Sequence, residues 1–173
     1  KDYLVRNLIS VPFKENQQLE VFFSDMIDSA KKKILLSTPY FRPTKMIQES
    51  FHRAIKRGVE ITLITRLDLK GDMVDWILSD VNKDGVNQFL GKIKVFEYTE
   101  KDVILHSKLV MIDSEMTLVG GVNLNKRSFV HDTENAVLIY SPKFTQHMEK
   151  VMELYMEKSK PIEKEIDVNF IKR

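Results

Sequence analysis

Apolar and polar residues follow two periods along the chain, one typical of amphipathic helices and one typical of buried strands. Apolar positions three and four residues apart predict helices over 19–33, 44–57, 71–91 and 144–155. Short apolar runs or alternating stretches predict strands over 34–38, 59–65, 92–98, 107–113, 116–121 and 134–140. Gly58 should end the second helix, because glycine is common just past a helix C-terminus. The apolar face of the third helix is expected to consist of Met73, Trp76, Ile77, Leu78 and Val81.

The order of these segments predicts the fold class. Short connections join strand, helix and strand between residues 34 and 65, which favours a right-handed crossover and a parallel pair. The pattern as a whole predicts an α/β protein with a mixed, largely parallel β-sheet sandwiched by helices. Residues 1–18 are expected to be an edge strand, a lead-in or a linker. Residues 19–157 would form the main domain and 158–173 a charged, frayed or loosely packed tail.

Composition narrows the class of protein without choosing a function. The chain has 173 residues, enough for one domain with a core, and 43% of them are hydrophobic, as in an ordinary globular protein. A net charge of +2 is too small to indicate nucleic-acid binding by itself. The absence of cysteine excludes disulfides, thiolate metal sites and cysteine nucleophiles. The first residues do not have the pattern of a signal peptide, and no run reaches the roughly 18 apolar residues of a membrane span.

Two polar residues interrupt an apolar strand near the middle of the chain. His106 and Lys108 are two residues apart, so a strand would point both to the same face. Their neighbours, Leu105 and residues 109–112, are apolar, as in a strand buried on both faces. A buried lysine is costly unless a counter-charge or a ligand meets it. The pair is therefore expected at the end of the strand, facing a crevice, or against an anion.

The next predicted strand ends at Gly120 and Gly121, and Asn123 follows. Glycine permits close backbone approach, and exposed N–H groups beside an amide side chain suit a phosphate oxygen. Histidine can act as a nucleophile or proton carrier near neutral pH, while lysine and asparagine can stabilise a phosphoryl group. The combination predicts a metal-free phosphoryl-transfer site, with no cofactor. Taken singly, each residue has a plainer interpretation: a structural histidine, a solvated lysine, a glycine bulge and, at Asp113, a turn residue.

The joint pattern H-x-K-x4-D-x6-G-G-x-N, from His106 to Asn123, resembles the HKD signature of the phospholipase D superfamily. The stretches 37–65 and 123–129 are similar to segments of bacterial cardiolipin synthases. The resemblance extends from about Leu19 to Tyr155, and is closest to the C-terminal repeat of those enzymes. It implies a phospholipase D-like α/β/α sandwich that carries the catalytic site.

The resemblance also implies catalysis through a phosphohistidine. His106 would be the nucleophile or the general acid. Lys108, Asn123 and Gly121 would bind phosphate oxygens together with His106. Glu134 falls where the family places a carboxylate that orients a catalytic histidine.

The remaining member of the signature, Asp113, is kept by the family among its catalytic residues. Its place before a predicted tight turn at Ser114 and Glu115 indicates that it holds the loop rather than touching the substrate.

The chain departs from the family pattern in places. Gly121 stands where serine is frequent, Asn125 replaces a frequent aspartate, and the residues before Glu134 are "HDT". His131, within that stretch, has no lysine at the spacing of the motif and is not predicted to be catalytic. The histidines of two predicted helices, His52 and His147, are predicted to be surface or packing residues.

One HKD motif is present, whereas a complete site in this superfamily takes two. The second motif would come from a homodimer partner or from an N-terminal repeat. The cardiolipin-synthase-like flanks and the missing initiator methionine favour the repeat, with residues 1–18 as the inter-repeat linker.

Three functions are compatible with these observations. The first is a phosphodiesterase or phosphatidyltransferase that acts on a phospholipid, with water or an alcohol as acceptor. The resemblance implies a bacterial location, either peripheral or associated with the inner membrane, on the cytoplasmic side. Tyr40 and Phe41 could contact lipid, or they could pack in the loop between a strand and a helix. The second is a metal-independent homodimeric nuclease, whose nucleic-acid contacts would come from basic residues: Lys31, Lys32, Lys33, Arg42, Lys45, Arg53, Lys56 and Arg57. The third is a non-catalytic dimerisation half, which the intact motif disfavours.

Overall fold

The helices and strands of the protein begin and end close to the predicted positions. A computed structural model describes residues 3–11, 18–68 and 73–169. In chain order the elements are β1 (Leu4–Ser10), α1 (Gln18–Ser29), β2 (Lys33–Ser37), β3 (Phe41–Arg42), α2 (Lys45–Lys56), β4 (Glu60–Thr65), α3 (Met73–Asn87), β5 (Lys94–Tyr98), β6 (Leu109–Ile112), β7 (Met116–Gly120), β8 (Leu124–Asn125), α4 (Lys126–Val130), β9 (Glu134–Tyr140), α5 (Pro142–Glu157) and β10 (Ser159–Pro161). The predicted start of the third helix, residues 71 and 72, lies outside the described residues.

Helix α2 illustrates how local sequence sets an element's ends. The Oγ1 atom of Thr44 accepts a hydrogen bond from the backbone N–H of Ile47, which caps the first turn. Gly58 lies just past the last turn with φ of +81°, a conformation that glycine adopts at little cost. The predicted end of this helix is confirmed.

The large sheet has the order β1–β9–β7–β6–β2–β4–β5–β10. Strands β2, β4 and β5 run parallel, as the predicted crossover requires, and the mixed α/β sheet is confirmed. The expected excess of parallel strands is not found: in the described part of the chain, every other neighbouring pair of this sheet is antiparallel. The reason is that a tight hairpin joins β6 to β7, and a short helix with its flanking loops joins β7 to β9. Strands β3 and β8 form a separate parallel pair.

Helices cover both faces of this sheet. On one face, Ile34 and Leu36 of β2 pack in a core with α1, α2 and the end of α3. On the other face, Leu35 of β2 contacts a second core, to which α5 contributes Met152. The alternation of side chains along β2 therefore sends successive residues into two different layers, which is the predicted sandwich.

Helix α3 contacts the protein through a different face from the predicted one. Trp76 is 69% exposed and Met73 is exposed as well, whereas the buried positions include Asn82 and Gly85. A Cβ atom at Gly85 would overlap the carbonyl oxygen of Phe41, so the helix lies against the β3 backbone there. The prediction of an apolar contact face through Met73 and Trp76 was wrong, because Asn82, Gly85 and Val86 make this contact instead.

The C-terminal segment is also better packed than predicted. Strand β10 pairs with β5 at the edge of the sheet, and Asn87 exchanges two hydrogen bonds with the backbone of Ile166. Val168 is buried. At the opposite edge, β1 pairs with β9 and is an edge strand, one of the predicted alternatives. Within the described residues, neither the opening segment nor the tail is detached from the domain.

Candidate active site

The polar residues of the motif gather at one edge of the sheet. Ser37, near the end of β2, pairs with Ile64 of β4 and with Leu109, the first residue of β6. The carboxyl ends of the parallel strands therefore meet the start of β6. At the same edge β7 ends and β9 begins, since Gly120 pairs with Ala136. Carboxyl ends of parallel strands are the usual place for a site in an open α/β sheet.

The predicted pair lies just before β6 rather than inside it. His106 is exposed, whereas Lys108 is buried to 9% exposure. The Nζ atom of Lys108 lies 3.0 Å from Nδ1 and 3.1 Å from Nε2 of His106, and donates a hydrogen bond of 2.8 Å to the His106 carbonyl oxygen. One ammonium cannot point along the lone pairs of both ring nitrogens, so the contact is a close approach to the imidazole. The placement at a strand end agrees with the sequence interpretation.

Burial and nearby charges shift the pKa values of both His106 and Lys108. Partial desolvation on the inner side of the ring lowers the pKa of His106 below its usual 6.5, and the positive charges of Lys108 and Arg66 lower it further. Burial also lowers the pKa of Lys108, while the negative charge of Glu134 acts in the opposite direction. The site therefore favours a neutral imidazole beside an ammonium whose charge Glu134 supports.

The two glycines of the motif have different surroundings. A Cβ atom at Gly120 would overlap the backbone of Asn135 and Ala136, so Gly120 permits the close approach of β7 to β9. A Cβ atom at Gly121 would lie 2.6 Å from Oε2 of Glu134, so the carboxylate rests against bare backbone at that position. In the described structure, Glu134 makes no hydrogen bond to His106, and it acts on Lys108 instead.

Asn123 is held by the turn that leads into α4. Its backbone N–H donates to Oγ of Ser128 at 3.2 Å, and the Oδ1 atom of Asn125 accepts from the Ser128 N–H at 2.9 Å. The Oδ1 atom of Asn123 is buried, and no hydrogen-bond donor meets it among the described residues. The backbone of Asn123 is therefore held in place by Ser128, while the side-chain oxygen has no hydrogen-bond donor among the described residues.

Asp113 does not join the other residues of the motif. It follows β6 at the opposite end of the strand, about 17 Å from Lys108 at the usual rise per residue. Its carboxylate accepts hydrogen bonds of 2.8, 2.8 and 2.9 Å from the backbone N–H groups of Lys31, Lys32 and Lys33. Burial raises the pKa of Asp113, but these three bonds outweigh it and hold the pKa below its usual 3.8.

The β6–β7 hairpin turns at Asp113 and Ser114, one residue earlier than predicted. Both have positive φ, 54° and 61°, as in a type I′ turn. The carboxylate of Asp113 holds the loop before β2, and the predicted supporting role describes its contacts better than a catalytic one.

The other histidines lie away from this cluster. His52 stacks on Phe89 with 5.3 Å between ring centroids, His131 follows the last turn of α4 at the surface, and His147 is exposed on α5. Phe41 is completely buried and Tyr40 half-buried, so of the two interpretations of this stretch the packed loop is the one found, and Phe41 does not contact lipid.

Sequence reasoning missed Arg66 and the serine pair beside the motif. Oγ of Ser37 and Oγ of Ser107 are 2.6 Å apart, which joins β2 to the segment between His106 and Lys108. Arg66 follows the last residue of β4 at the same edge. A basic residue directly after a buried parallel strand was a readable signal, because that position faces the edge where ligands bind.

Together, the sheet with helices on both faces and the H-x-K and G-G-x-N segments at its edge define a domain of the phospholipase D superfamily. The family model described as "Cardiolipin synthase, PLD-like domain" matches residues 23–156. The chain belongs to this family.

Relatives and solved structures agree with that assignment. Cardiolipin synthase 1 of Staphylococcus epidermidis is 31% identical over 161 residues, which cover 91% of this chain and 31% of that one. The phosphatidylserine synthase structure from Haemophilus influenzae Rd KW20 has a TM-score of 0.83 at 20% identity, and the match covers 98% of this chain and 42% of that one. Nuc of Salmonella typhimurium, a phospholipase D family member, has a TM-score of 0.71 at 19% identity over 94% of this chain and all of that one. The two structural likenesses show the fold alone.

The chain spans about a third of the length of the curated relative named above. None of the helices in the described ranges has the length and apolar character needed to cross a membrane.

Proposed function

We propose that this chain contributes one HKD motif to an active site that cleaves or exchanges phosphodiester bonds of phospholipids through a phosphohistidine. The observation that carries the proposal is the close approach of the Lys108 ammonium to both ring nitrogens of His106, at 3.0 and 3.1 Å. Asn123 and Glu134 lie at the same edge of the sheet, and the match to cardiolipin synthase domains supports a lipid substrate.

The chemistry can be assigned to the groups present. In the first step a neutral histidine nitrogen attacks phosphorus, the P–O bond to the leaving alcohol breaks, and a second histidine gives that alcohol its proton. In the second step water or another alcohol loses a proton to the second histidine and attacks phosphorus, and the P–N bond breaks. His106 takes one of these two parts. Lys108 and the amide of Asn123 would stabilise the negative charge on the phosphoryl oxygens.

The second histidine has to come from another HKD motif. A homodimer partner or a further repeat of a longer protein could supply it, and the greater length of the relatives supports the repeat. In either arrangement Glu134 would favour the charged form of Lys108, because both residues belong to this chain.

Exposed apolar side chains favour a lipid substrate over nucleic acid. Met73, Val74 and Trp76 at the start of α3 are more than half exposed, as are Val103 and Ile104 just before His106. These residues lie at or near the edge of the sheet that carries the motif. An interfacial enzyme gains from such residues, since aromatic and aliphatic side chains insert at the boundary between headgroups and acyl chains.

The basic residues that suggested a nuclease do not form one surface at the site. Arg53 and Arg57 pair with Asp28, and Arg42 pairs with Asp84. The loop of Lys31–Lys33 lies at the opposite edge, where it meets Asp113. The nuclease alternative predicts cleavage of DNA that weakens steeply with salt, whereas the lipid proposal predicts release of a headgroup alcohol from phosphatidylglycerol vesicles.

The deciding experiment is His106→Ala in the protein that carries this chain, assayed on phosphatidylglycerol vesicles. We expect turnover to fall by about 10³-fold or more while the fold survives, because His106 is exposed and its ring supports no core packing. His147→Ala, the same change on the exposed face of α5, should leave turnover unchanged. Full activity of the His106 variant would remove the mechanism proposed here.

A further inference from the structure

Arg66 has a position from which it can reach the motif. It directly follows Thr65, the last residue of β4. Ile64 of β4 and Leu109 of β6 both pair with Ser37 of the strand between them. Neighbouring strands lie about 4.8 Å apart, so the backbones of Arg66 and of the residue before Leu109 are roughly 10 Å apart at the same edge. The long side chain of an arginine can bridge much of that separation.

A buried amide fixes the backbone at this position. Asn82 is 1% exposed, and its Nδ2 atom donates to the carbonyl oxygen of Arg66, to Oγ1 of Thr65 at 3.2 Å and to the Pro39 carbonyl at 3.1 Å. Its Oδ1 atom accepts from the Phe41 N–H at 2.6 Å. A fully bonded buried amide of this kind holds its partners in one arrangement. Arg66 therefore leaves the sheet in a defined direction.

The guanidinium of Arg66 forms no ion pair within the described part of the chain. Four other arginines there are paired with a carboxylate: Arg42, Arg53, Arg57 and Arg127. Arg66 makes no such pair and no side-chain hydrogen bond with the described residues, although it lines the same groove as Asp68 and Asp102. Two other carboxylates of its groove, Glu97 and Glu100, are paired with Lys160 and Lys158. Val103 and Ile104, which lead into His106, line that groove too. A planar cation left without a partner beside the proposed nucleophile is suited to an anion.

We propose that Arg66 is a further substrate-binding residue, which contacts an oxygen of the phosphodiester that His106 and Lys108 engage. The proposal rests on the proposed function, since it assigns Arg66 to the phosphoryl group of that same reaction. Arg66 would act from the β4 side and Lys108 from the β6 side, so that two cations flank one phosphate. The positive charge of Arg66 also lowers the pKa of His106, after burial and the charge of Lys108, as expected of two groups at the same edge of the sheet.

The test is the binding of two soluble probes, dimethyl phosphate and inorganic phosphate, to wild-type protein and to Arg66→Gln. Nuclear magnetic resonance of the His106 ring protons reports binding without any need for turnover. We expect both probes to bind at least about 10-fold more weakly to Arg66→Gln, as the loss of one charge-assisted hydrogen bond implies. Arg66→Lys should recover part of the affinity. The free His106 ring should titrate at a higher pH in Arg66→Gln than in the wild type.

Arg57→Gln is the matched control, because it removes the same charge at the opposite edge, before β4. Unchanged probe affinity in Arg66→Gln, an equal loss in Arg57→Gln, or a wild-type His106 that responds to neither probe would each overturn the inference. The proposed function is tested by a different result: it would be contradicted if turnover survived in His106→Ala. A weaker response to inorganic phosphate alone would assign Arg66 to a phosphate monoester and would contradict the diester proposed here.

Discussion

At the scale of single residues, the proposed catalytic pair and the supporting aspartate lie at opposite ends of β6. His106 and Lys108 precede the strand, and Asp113 follows it. The sequence pattern predicted that the first two residues act together, because their spacing places them side by side. It placed Asp113 at a turn after the strand, with a supporting role, but could not identify the backbone N–H groups of Lys31, Lys32 and Lys33 as its partners, since they are about 80 residues away along the chain. It also missed Arg66, which comes from a strand two positions away in the sheet.

A change at Lys108 should alter the titration of His106. Partial burial and the Lys108 and Arg66 charges keep the folded-state pKa below 6.5, so the ring stays neutral as the pH falls through 6.5 and gains its proton only below that value. In Lys108→Gln one positive charge is lost, and we expect the pKa to move up towards 6.5. Histidine ring protons followed by nuclear magnetic resonance would measure it, with His147 as internal control. An unchanged or lower pKa would contradict the charge distribution described here.

Asp113→Ala should reduce stability more than catalysis. Three backbone N–H groups would lose a charged acceptor, and we expect a loss of about 2–4 kcal/mol in the free energy of unfolding. The folded-state pKa of Asp113 is lowered, so its contribution is present above pH 3.8 and is lost as the pH falls below that value. The difference between variant and wild type should therefore shrink in acid. Urea unfolding at several pH values would measure it.

The control for this prediction is Asp102→Ala. Asp102 also has positive φ, 60°, but its carboxylate accepts no hydrogen bond from the described residues. Asp102→Ala should therefore lower the free energy of unfolding clearly less than Asp113→Ala does. If Asp113→Ala were folded but had no turnover, Asp113 would have a catalytic role and the supporting role would be contradicted.

At the scale of elements, periodicity predicted the type and order of the helices and strands well, and the contact surfaces less well. Continuous apolar runs such as β2 and β4 could be read directly, since both faces are buried. Helix α3 could not, because most of its buried face consists of polar residues and Gly85, and Val86 is the one apolar residue among its fully buried described positions. The tail was misread for a related reason: backbone pairing of β10 with β5 needs no apolar period.

Helix α3 offers a test of this contact surface. Alanine is normally favoured over glycine inside a helix, yet Gly85→Ala would push a methyl group into the Phe41 carbonyl oxygen. We expect Gly85→Ala to lower the free energy of unfolding by about 1–3 kcal/mol. Trp76→Ala, the largest possible truncation on the exposed side, should change it by no more than about 0.5 kcal/mol. A larger loss from Trp76→Ala would support the original sequence prediction instead.

At the scale of the whole molecule, the proposed catalytic cycle needs a second histidine in addition to His106. The described residues form a sheet with β1 and β10 at its edges and helices on both faces. The proposed reaction, by contrast, needs a second motif in addition to the one that this chain carries.

This need for a second motif predicts how activity depends on concentration. Isolated as 173 residues, the chain should turn over a phosphodiester only when it is self-associated, because one histidine cannot serve as nucleophile and general acid in the same step. Specific activity should fall on dilution, in parallel with the dimer fraction measured by analytical ultracentrifugation. Constant specific activity from a monomer would contradict the two-motif mechanism.

The hydrogen bonds of Asp113 have one more consequence. They fasten the tip of the β6–β7 hairpin to the backbone before β2, and β2 is the strand on which β6 pairs. A slip of β6 by one residue would turn every side chain to the opposite layer and would carry Lys108 away from the phosphate. The bonds of Asp113 thus oppose such a slip from the end of β6 that lies away from His106 and Lys108, which gives the aspartate a place in the motif without contact to the substrate.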